Sequence, residues 1–138
     1  MKKFILLISF SLLIQNALSQ EASTISKSTE VFNVSATDFH KLIKQAIAPQ
    51  IIDIRTPREY QMGHIKGAIN INYYDPQFKD KIEAADLNKE KPILIYCRSG
   101  HRSGNALNIF KTLGFEKIVN LRSGINDWYR NKLPIANN

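Results

Sequence analysis

The stretch Pro92-Ile93-Leu94-Ile95-Tyr96-Cys97-Arg98-Ser99-Gly100-His101-Arg102-Ser103-Gly104 constrains this chain more than any other. Ile93 to Tyr96 is an apolar run with the length of a strand buried on both faces. It ends at Cys97, the single cysteine of the sequence. Helical spacing takes over from Arg102 to Leu113, with Ala106, Leu107, Phe110 and Leu113 on the apolar side and Gly114 as the stop. A cysteine is therefore predicted at a strand end, one short loop away from a helix N-terminus. The first turn of a helix has N–H groups without acceptors and a partial positive charge. Gly100 lets the loop turn further N–H groups inward as an anion-binding nest. Arg98 and Arg102 add two guanidiniums. Such a setting favours the thiolate, the nucleophilic form of cysteine, and holds a small oxyanion beside the sulfur. A buried, inert thiol is the plainer alternative; the run Arg-Ser-Gly-His-Arg directly behind Cys97 argues against it.

The rest of the chain alternates strand and helix patterns. Val31 to Val34 reads as a short strand. Ser35 is a helix N-cap with Asp38 in a capping-box position, and Phe39, Leu42, Ile43 and Ile47 continue with helical spacing up to Pro49. Ile51 to Ile54 is a second strand, followed by a short helix or turn through Tyr60. A loop with two glycines, Gly63 and Gly67, leads to a third strand, Ile69 to Ile71. Asp75-Pro76 is predicted as an N-cap with proline at the first helical position, opening a helix that includes Phe78 and Ile82 and ends near Ala85. Lys117 to Leu121 is the last strand, and Ile125, Trp128 and Tyr129 lie on a final helix. Nearly apolar strands alternating with helices imply an α/β fold, a mostly parallel sheet flanked by helices on both faces. Ligands of such sheets bind at the carboxyl ends of the strands. Cys97 ends one strand there, and Asp53 and Arg55 end another.

The 138 residues suit a single domain preceded by a leader. Met1-Lys2-Lys3, then eleven uncharged residues from Phe4 to Ile14, then Ala17-Leu18-Ser19 form a charged region, a short apolar core and a small-x-small cleavage site. The apolar core is too short to span a bilayer, which needs about 20 residues. The expected organisation is a signal peptide at 1–19, a flexible Ser/Thr-rich lead-in at 20–30 and the folded domain at 31–138. The mature protein is then exported, periplasmic or secreted, without a membrane anchor. The leader carries two of the 19 Lys+Arg that stand against 12 Asp+Glu, so the mature chain is modestly basic. Its positive residues are spread out, which speaks against nucleic-acid binding. Asn33-Val34-Ser35 matches a glycosylation acceptor, a short pattern that matters only in a eukaryotic host.

In order, Ile52-Asp53-Ile54-Arg55, Glu59-Tyr60, Gly63-His64-Ile65-Lys66-Gly67-Ala68-Ile69-Asn70, Tyr96-Cys97-Arg98-Ser99-Gly100-His101-Arg102-Ser103 and Ser123-Gly124 with Trp128 form a series that resembles the rhodanese-like (thiosulfate sulfurtransferase) family of single-domain type. The resemblance runs from about Val31 to Pro134. One departure is Ser123, where the family often has a second glycine; it is expected to alter a turn and not the chemistry. The resemblance implies a five-stranded parallel sheet and ping-pong transfer of a sulfane sulfur. Cys97 takes the outer sulfur of thiosulfate or a persulfide donor, sulfite leaves, and a thiol or cyanide accepts the sulfur from the Cys97 persulfide. The N–H groups of Arg98, Ser99, Gly100, His101 and Arg102 would hold the persulfide and substrate oxygens, and the Arg98 and Arg102 side chains the dianion.

Asp53 and Arg55 are expected to support the loop as an ion pair, and Glu59 to cap or pair locally. His64 is read as a hydrogen-bonding fold residue, Trp128 as core, and Tyr73 and Tyr74 as candidates for the pocket edge. His101 beside one cysteine makes a poor metal site, so neither a metal nor a cofactor is expected, and the protein is read as a monomer. Two other functions stay open: an oxyanion phosphatase or arsenate reductase of related fold, and a non-catalytic binding module. The leader gives a first test. N-terminal sequencing of the mature protein is expected to start at Gln20, and a cytosolic product that retains Met1 would contradict export.

Overall fold

The computed structural model describes residues 28–137; the expected leader and most of the lead-in lie outside them. The elements follow in the order β1 (Glu30–Val34), α1 (Ala36–Gln45), β2 (Gln50–Asp53), α2 (Pro57–Gln61), β3 (Ala68–Asn70), α3 (Phe78–Ala84), β4 (Ile93–Tyr96), α4 (His101–Thr112), β5 (Lys117–Leu121) and α5 (Gly124–Arg130). The five strands form one sheet in the order β1-β5-β4-β2-β3, and every pairing is parallel. The lead-in ends earlier than expected. The Thr29 hydroxyl already donates to Phe115 O at 2.9 Å, and Glu30 N donates to Glu116 O.

β4 lies at the centre, with all four residues buried. Successive residues of a strand face opposite sides, and here both sides are covered. Ile93, Ile95 and Cys97 join Phe78 and Ile82 of α3 and Ala106 and Phe110 of α4. Leu94 and Tyr96 join Phe39 of α1 and Ile125 and Trp128 of α5. Edge-to-face ring contacts from Phe78 to Phe110 and from Phe110 to Phe115 fill the first layer. Phe39 makes the same kind of contact with both Tyr96 and Trp128 in the second.

Local capping explains most element ends. The Ser35 hydroxyl accepts from Asp38 N at 3.2 Å at the start of α1, and the Asp127 carboxylate accepts from Ala36 N at 2.9 Å, tying α1 to α5. Thr56 and Glu59 form a reciprocal capping box on α2. Gly114, at φ +85°, ends α4 in a Schellman motif with Phe115 N on Phe110 O and Gly114 N on Lys111 O.

Three expectations are corrected. Ile47 is not on the core face of α1 but 94% exposed, because the chain leaves the helix at Ala46 in extended backbone ahead of Pro49. Asp75 does not cap α3. Its carboxylate accepts from Gln77 N at 2.8 Å, closing a turn before the helix, which begins only at Phe78. Leu107 is only partly buried, as the flank of α4's apolar face.

Phe110→Ala is expected to lower the unfolding free energy by about 3–5 kcal/mol, because its ring is fully enclosed. Ile47→Asp is expected to change it by no more than about 0.5 kcal/mol. Urea unfolding of the two variants checks both values.

Candidate active site

Cys97 follows directly on β4 and is 1% exposed. Gly100 N–H donates to its Sγ at 3.1 Å, and the Ser103 hydroxyl stands 3.5 Å from the same sulfur. The loop is fixed from behind by α5. Ile125 N donates to Cys97 O at 2.9 Å, and Asn126 N donates to Arg98 O at 3.1 Å. A trans peptide points its C=O and N–H in opposite directions. Holding these two carbonyls against α5 therefore turns the N–H groups of Arg98 and Ser99 away from it.

Two glycines make this close packing possible. Gly100 has φ +95°, and a Cβ there would lie 1.8 Å from Arg122 O. Gly124 has φ +62°, and a Cβ there would lie 2.4 Å from both C and O of Arg98. Both are left-handed conformations that favour glycine. Ser123 has φ −106°, an ordinary conformation for serine, so glycine is needed at position 124 and not at 123.

Two ion pairs flank the loop. Asp53 and Arg55 are buried together, with Arg55 Nε 3.0 Å from both Asp53 carboxylate oxygens and Nη2 2.6 Å from Oδ2. Burial opposes the charge on Arg55, and the hydrogen bonds and field of Asp53 outweigh it, so the guanidinium pKa stands above its ordinary value. Arg55 also donates to Gly63 O at 2.8 Å. Asn70 binds the carbonyls of Asp53 and Arg55, and together these bonds fix the bed beneath the loop.

The second pair ties up the Arg102 side chain. Arg102 does not point its guanidinium into open space for a substrate dianion; it is bidentate on Glu59, with Nη1–Oε2 at 2.8 Å and Nη2–Oε1 at 2.7 Å. The physical reason is the geometric match of a guanidinium fork to a carboxylate that the α2 capping box already holds in place. The Arg102 hydrogen bonds, helped by those from Thr56, pull the Glu59 carboxyl down to about 2. Tyr74 lies under the Arg102 guanidinium, 5.5 Å from ring centroid to Cζ. Tyr73 packs against the core instead.

Arg98 is exposed, and among the described residues its guanidinium has no hydrogen-bond or ion-pair partner. Together with Arg55, Glu59, Met62, Ile125, Asn126 and Tyr129 it lines a cavity of about 260 Å³. The cavity's contact with the loop is direct, since the Ile125 and Asn126 N–H groups hold the Cys97 and Arg98 carbonyls. Ser99 and His101 are exposed, and His101 opens α4. His64 is buried, stacked on Tyr60 at 3.8 Å between ring centroids and paired through its backbone with Ala136. Trp128 is core, its Nε1–H donating to Pro134 O at 2.9 Å.

Sequence reasoning missed Ser103, Met62 and the pair Asn126 and Tyr129 as site residues. Spacing of i, i+3 on α5 was the available signal for the last two. Nothing in the sequence marks Met62.

A buried cysteine at the end of the central strand, opening a six-residue loop from Cys97 to Arg102 above a five-stranded parallel sheet, is the arrangement that the resemblance implies. The chain matches the Rhodanese-like domain family over residues 35–131, and it belongs to that family. It is 38% identical over 86 residues to a sulfurtransferase of Allochromatium vinosum, covering 62% of this chain and 77% of that protein. It is 36% identical over 69 residues to the thiosulfate sulfurtransferase PspE of Escherichia coli, covering 50% and 64% respectively. The crystal structure of a rhodanese-related protein from Thermoplasma volcanium superposes with a TM-score of 0.65 at 28% identity, covering 76% of this chain and 97% of the other.

The Glu59–Arg102 pair carries a pH signature. A carboxyl whose pKa falls on folding, here from an ordinary 4.5 to about 2, stabilises the fold above its unfolded value and loses that contribution as pH falls through the folded one. Glu59→Gln is expected to cost roughly 1–2 kcal/mol at neutral pH. The gap to the wild type is expected to shrink below pH 4.5 and close near pH 2. Urea midpoints of both proteins across that range check the sign.

Proposed function

We propose that this protein is a sulfurtransferase that moves a sulfane sulfur from a small anionic donor such as thiosulfate to a thiol or cyanide by way of a persulfide on Cys97. The observation that carries this reading is the buried Sγ, with the Gly100 N–H aimed at it from 3.1 Å and the α4 N-terminus beside it.

The Cys97 thiolate attacks the outer sulfur of thiosulfate. A new S–S bond forms, the S–S bond of thiosulfate breaks, and its electron pair leaves with sulfite. The terminal sulfur then carries the negative charge, which the N–H groups of the loop stabilise in place of the original thiolate. Arg98, the loop guanidinium without a partner among the described residues, meets the dianion and the departing sulfite. Arg102 acts as a positioning residue, fixing the far end of the loop to α2 through Glu59. The charged n-region, short apolar core and small-residue cleavage pattern of residues 1–19 support action after export, in the periplasm or outside the cell.

Phosphatases of related fold place one more residue between cysteine and arginine. Their substrate's central atom must come within about 3–3.5 Å of the thiolate, with its oxygens spread over the loop donors. The six-residue loop here suits a single sulfur atom better. Wild-type protein exposed to thiosulfate is expected to gain one sulfur atom by intact mass, and Cys97→Ser none. Aryl phosphate hydrolysis is expected to be negligible; robust phosphatase turnover lost in Cys97→Ser would overturn the assignment.

A further inference from the structure

We propose that Ser103 is a catalytic residue that switches its hydrogen bond between Cys97 and the Gly100 carbonyl, and so makes Cys97 a better leaving group when the sulfur is discharged. The proposal rests on the sulfurtransferase reading. It starts from a buried hydroxyl with two acceptors. Ser103 is 0% exposed and lies in the first turn of α4. Its Oγ stands 3.5 Å from Cys97 Sγ and 3.3 Å from Gly100 O. A hydroxyl has a single proton to donate, so it serves one of the two at a time.

The two donors on the sulfur differ in kind. The Gly100 N–H, 3.1 Å from Sγ, belongs to backbone packed against the Arg122 carbonyl, and it cannot turn away. The Ser103 O–H turns about its Cβ–Oγ bond with no movement of the helix. Gly100 O is open to it: Gly104 N donates to that carbonyl at 2.9 Å, and a carbonyl oxygen has a second lone pair. The hydroxyl therefore has a partner in either position, and neither leaves a buried donor unsatisfied at a cost in stability. The charge on Sγ decides between them. A thiolate is an ionised, strong acceptor, whereas the inner sulfur of a persulfide is neutral and a weak one.

That charge changes in each half of the cycle. On loading, the Cys97 thiolate takes the outer sulfur of thiosulfate, the charge moves to the terminal sulfur, and Ser103 turns to Gly100 O. On discharge, a nucleophile attacks the terminal sulfur. With sulfite, the bond that forms is the S–S bond of thiosulfate, the Cys97 S–S bond breaks, and its electron pair returns to Sγ as thiolate. Ser103 turns back to the thiolate as it forms. No proton changes hands, and no outside oxidant or reductant is used. The hydroxyl thus stabilises the leaving group of discharge and tempers the nucleophile of loading, so its removal moves the two rates in opposite directions.

Loading by thiosulfate and its reversal by sulfite test both directions on one protein. Ser103→Ala removes the hydroxyl, and alanine suits a helix. Wild type and variant are loaded with thiosulfate, desalted and then discharged with sulfite. The persulfide is followed by intact mass in both steps, and rates are compared at each protein's high-pH plateau. The variant is expected to discharge roughly threefold more slowly and to load roughly threefold faster, which favours the persulfide about tenfold more at equilibrium. This is how a nucleophile slope of about 0.4–0.5 divides the loss of one hydrogen bond to a charged sulfur. A packing defect would slow both directions. Equal rates in the two proteins, or rates slowed together, would overturn the switch while leaving the sulfurtransferase reading standing. A wild type that gains no sulfur from thiosulfate would overturn that reading, and the switch with it.

Discussion

The hold of α5 on the Cys97 and Arg98 carbonyls is the interaction on which the rest of the site depends. With Ile125 N and Asn126 N as donors, these two peptide units are fixed, and peptide planarity turns their N–H groups the other way. The N–H groups of Arg98 and Ser99 are free of α5 because the carbonyls of the same two peptides are occupied there. This requires backbone-to-backbone approach with no intervening Cβ, which Gly124 supplies against Arg98 and Gly100 against the Arg122 carbonyl. The sheet contributes by burying every residue of β4 up to Cys97, so the sulfur starts from a fixed position in a low-dielectric layer.

Charge is distributed to the same end. Asp53–Arg55 and Glu59–Arg102 are both closed pairs, and each links elements more than it offers charge to a ligand. Asp53–Arg55 joins the end of β2 to the Gly63 carbonyl. Glu59–Arg102 joins the capping box of α2 to the first turn of α4. A bidentate pair of this kind gives up little to water and fixes geometry well. The consequence is a difference between the two loop arginines: Arg102 is tied to Glu59, and the Arg98 guanidinium has no partner among the described residues.

Much of this was legible in the sequence, for definite reasons. The apolar runs around Ile52, Ile95 and Val119 have strand length and sit between helical spacings, so the parallel α/β architecture follows from pattern alone. The Cys97 loop was legible because glycine, cysteine and arginine occur together where a strand gives way to a helix. The pairing of Arg102 with Glu59 was not legible because the two lie 43 positions apart, and no local pattern ties them. Asp75 was misjudged because an aspartate before proline serves equally as an N-cap or as a turn former, and the turn prevailed. The cavity lining of Met62, Asn126 and Tyr129 depends on how α2 and α5 meet across the loop, which is a tertiary outcome without a local signature. Ser123 shows the reverse case: its departure from the resembled pattern strains no backbone, because the left-handed conformation falls on Gly124.

The central claim is that the backbone N–H groups of the loop receive the sulfur carried by Cys97. Amide proton and nitrogen chemical shifts of the loop, recorded before and after loading with thiosulfate, address it directly. The account predicts that the amides of Arg98, Ser99, Gly100, His101 and Arg102 shift together, with Gly100 among the largest, while amides at the opposite end of the sheet stay in place. A protein that has gained one sulfur on Cys97 with these loop amides unchanged would contradict it.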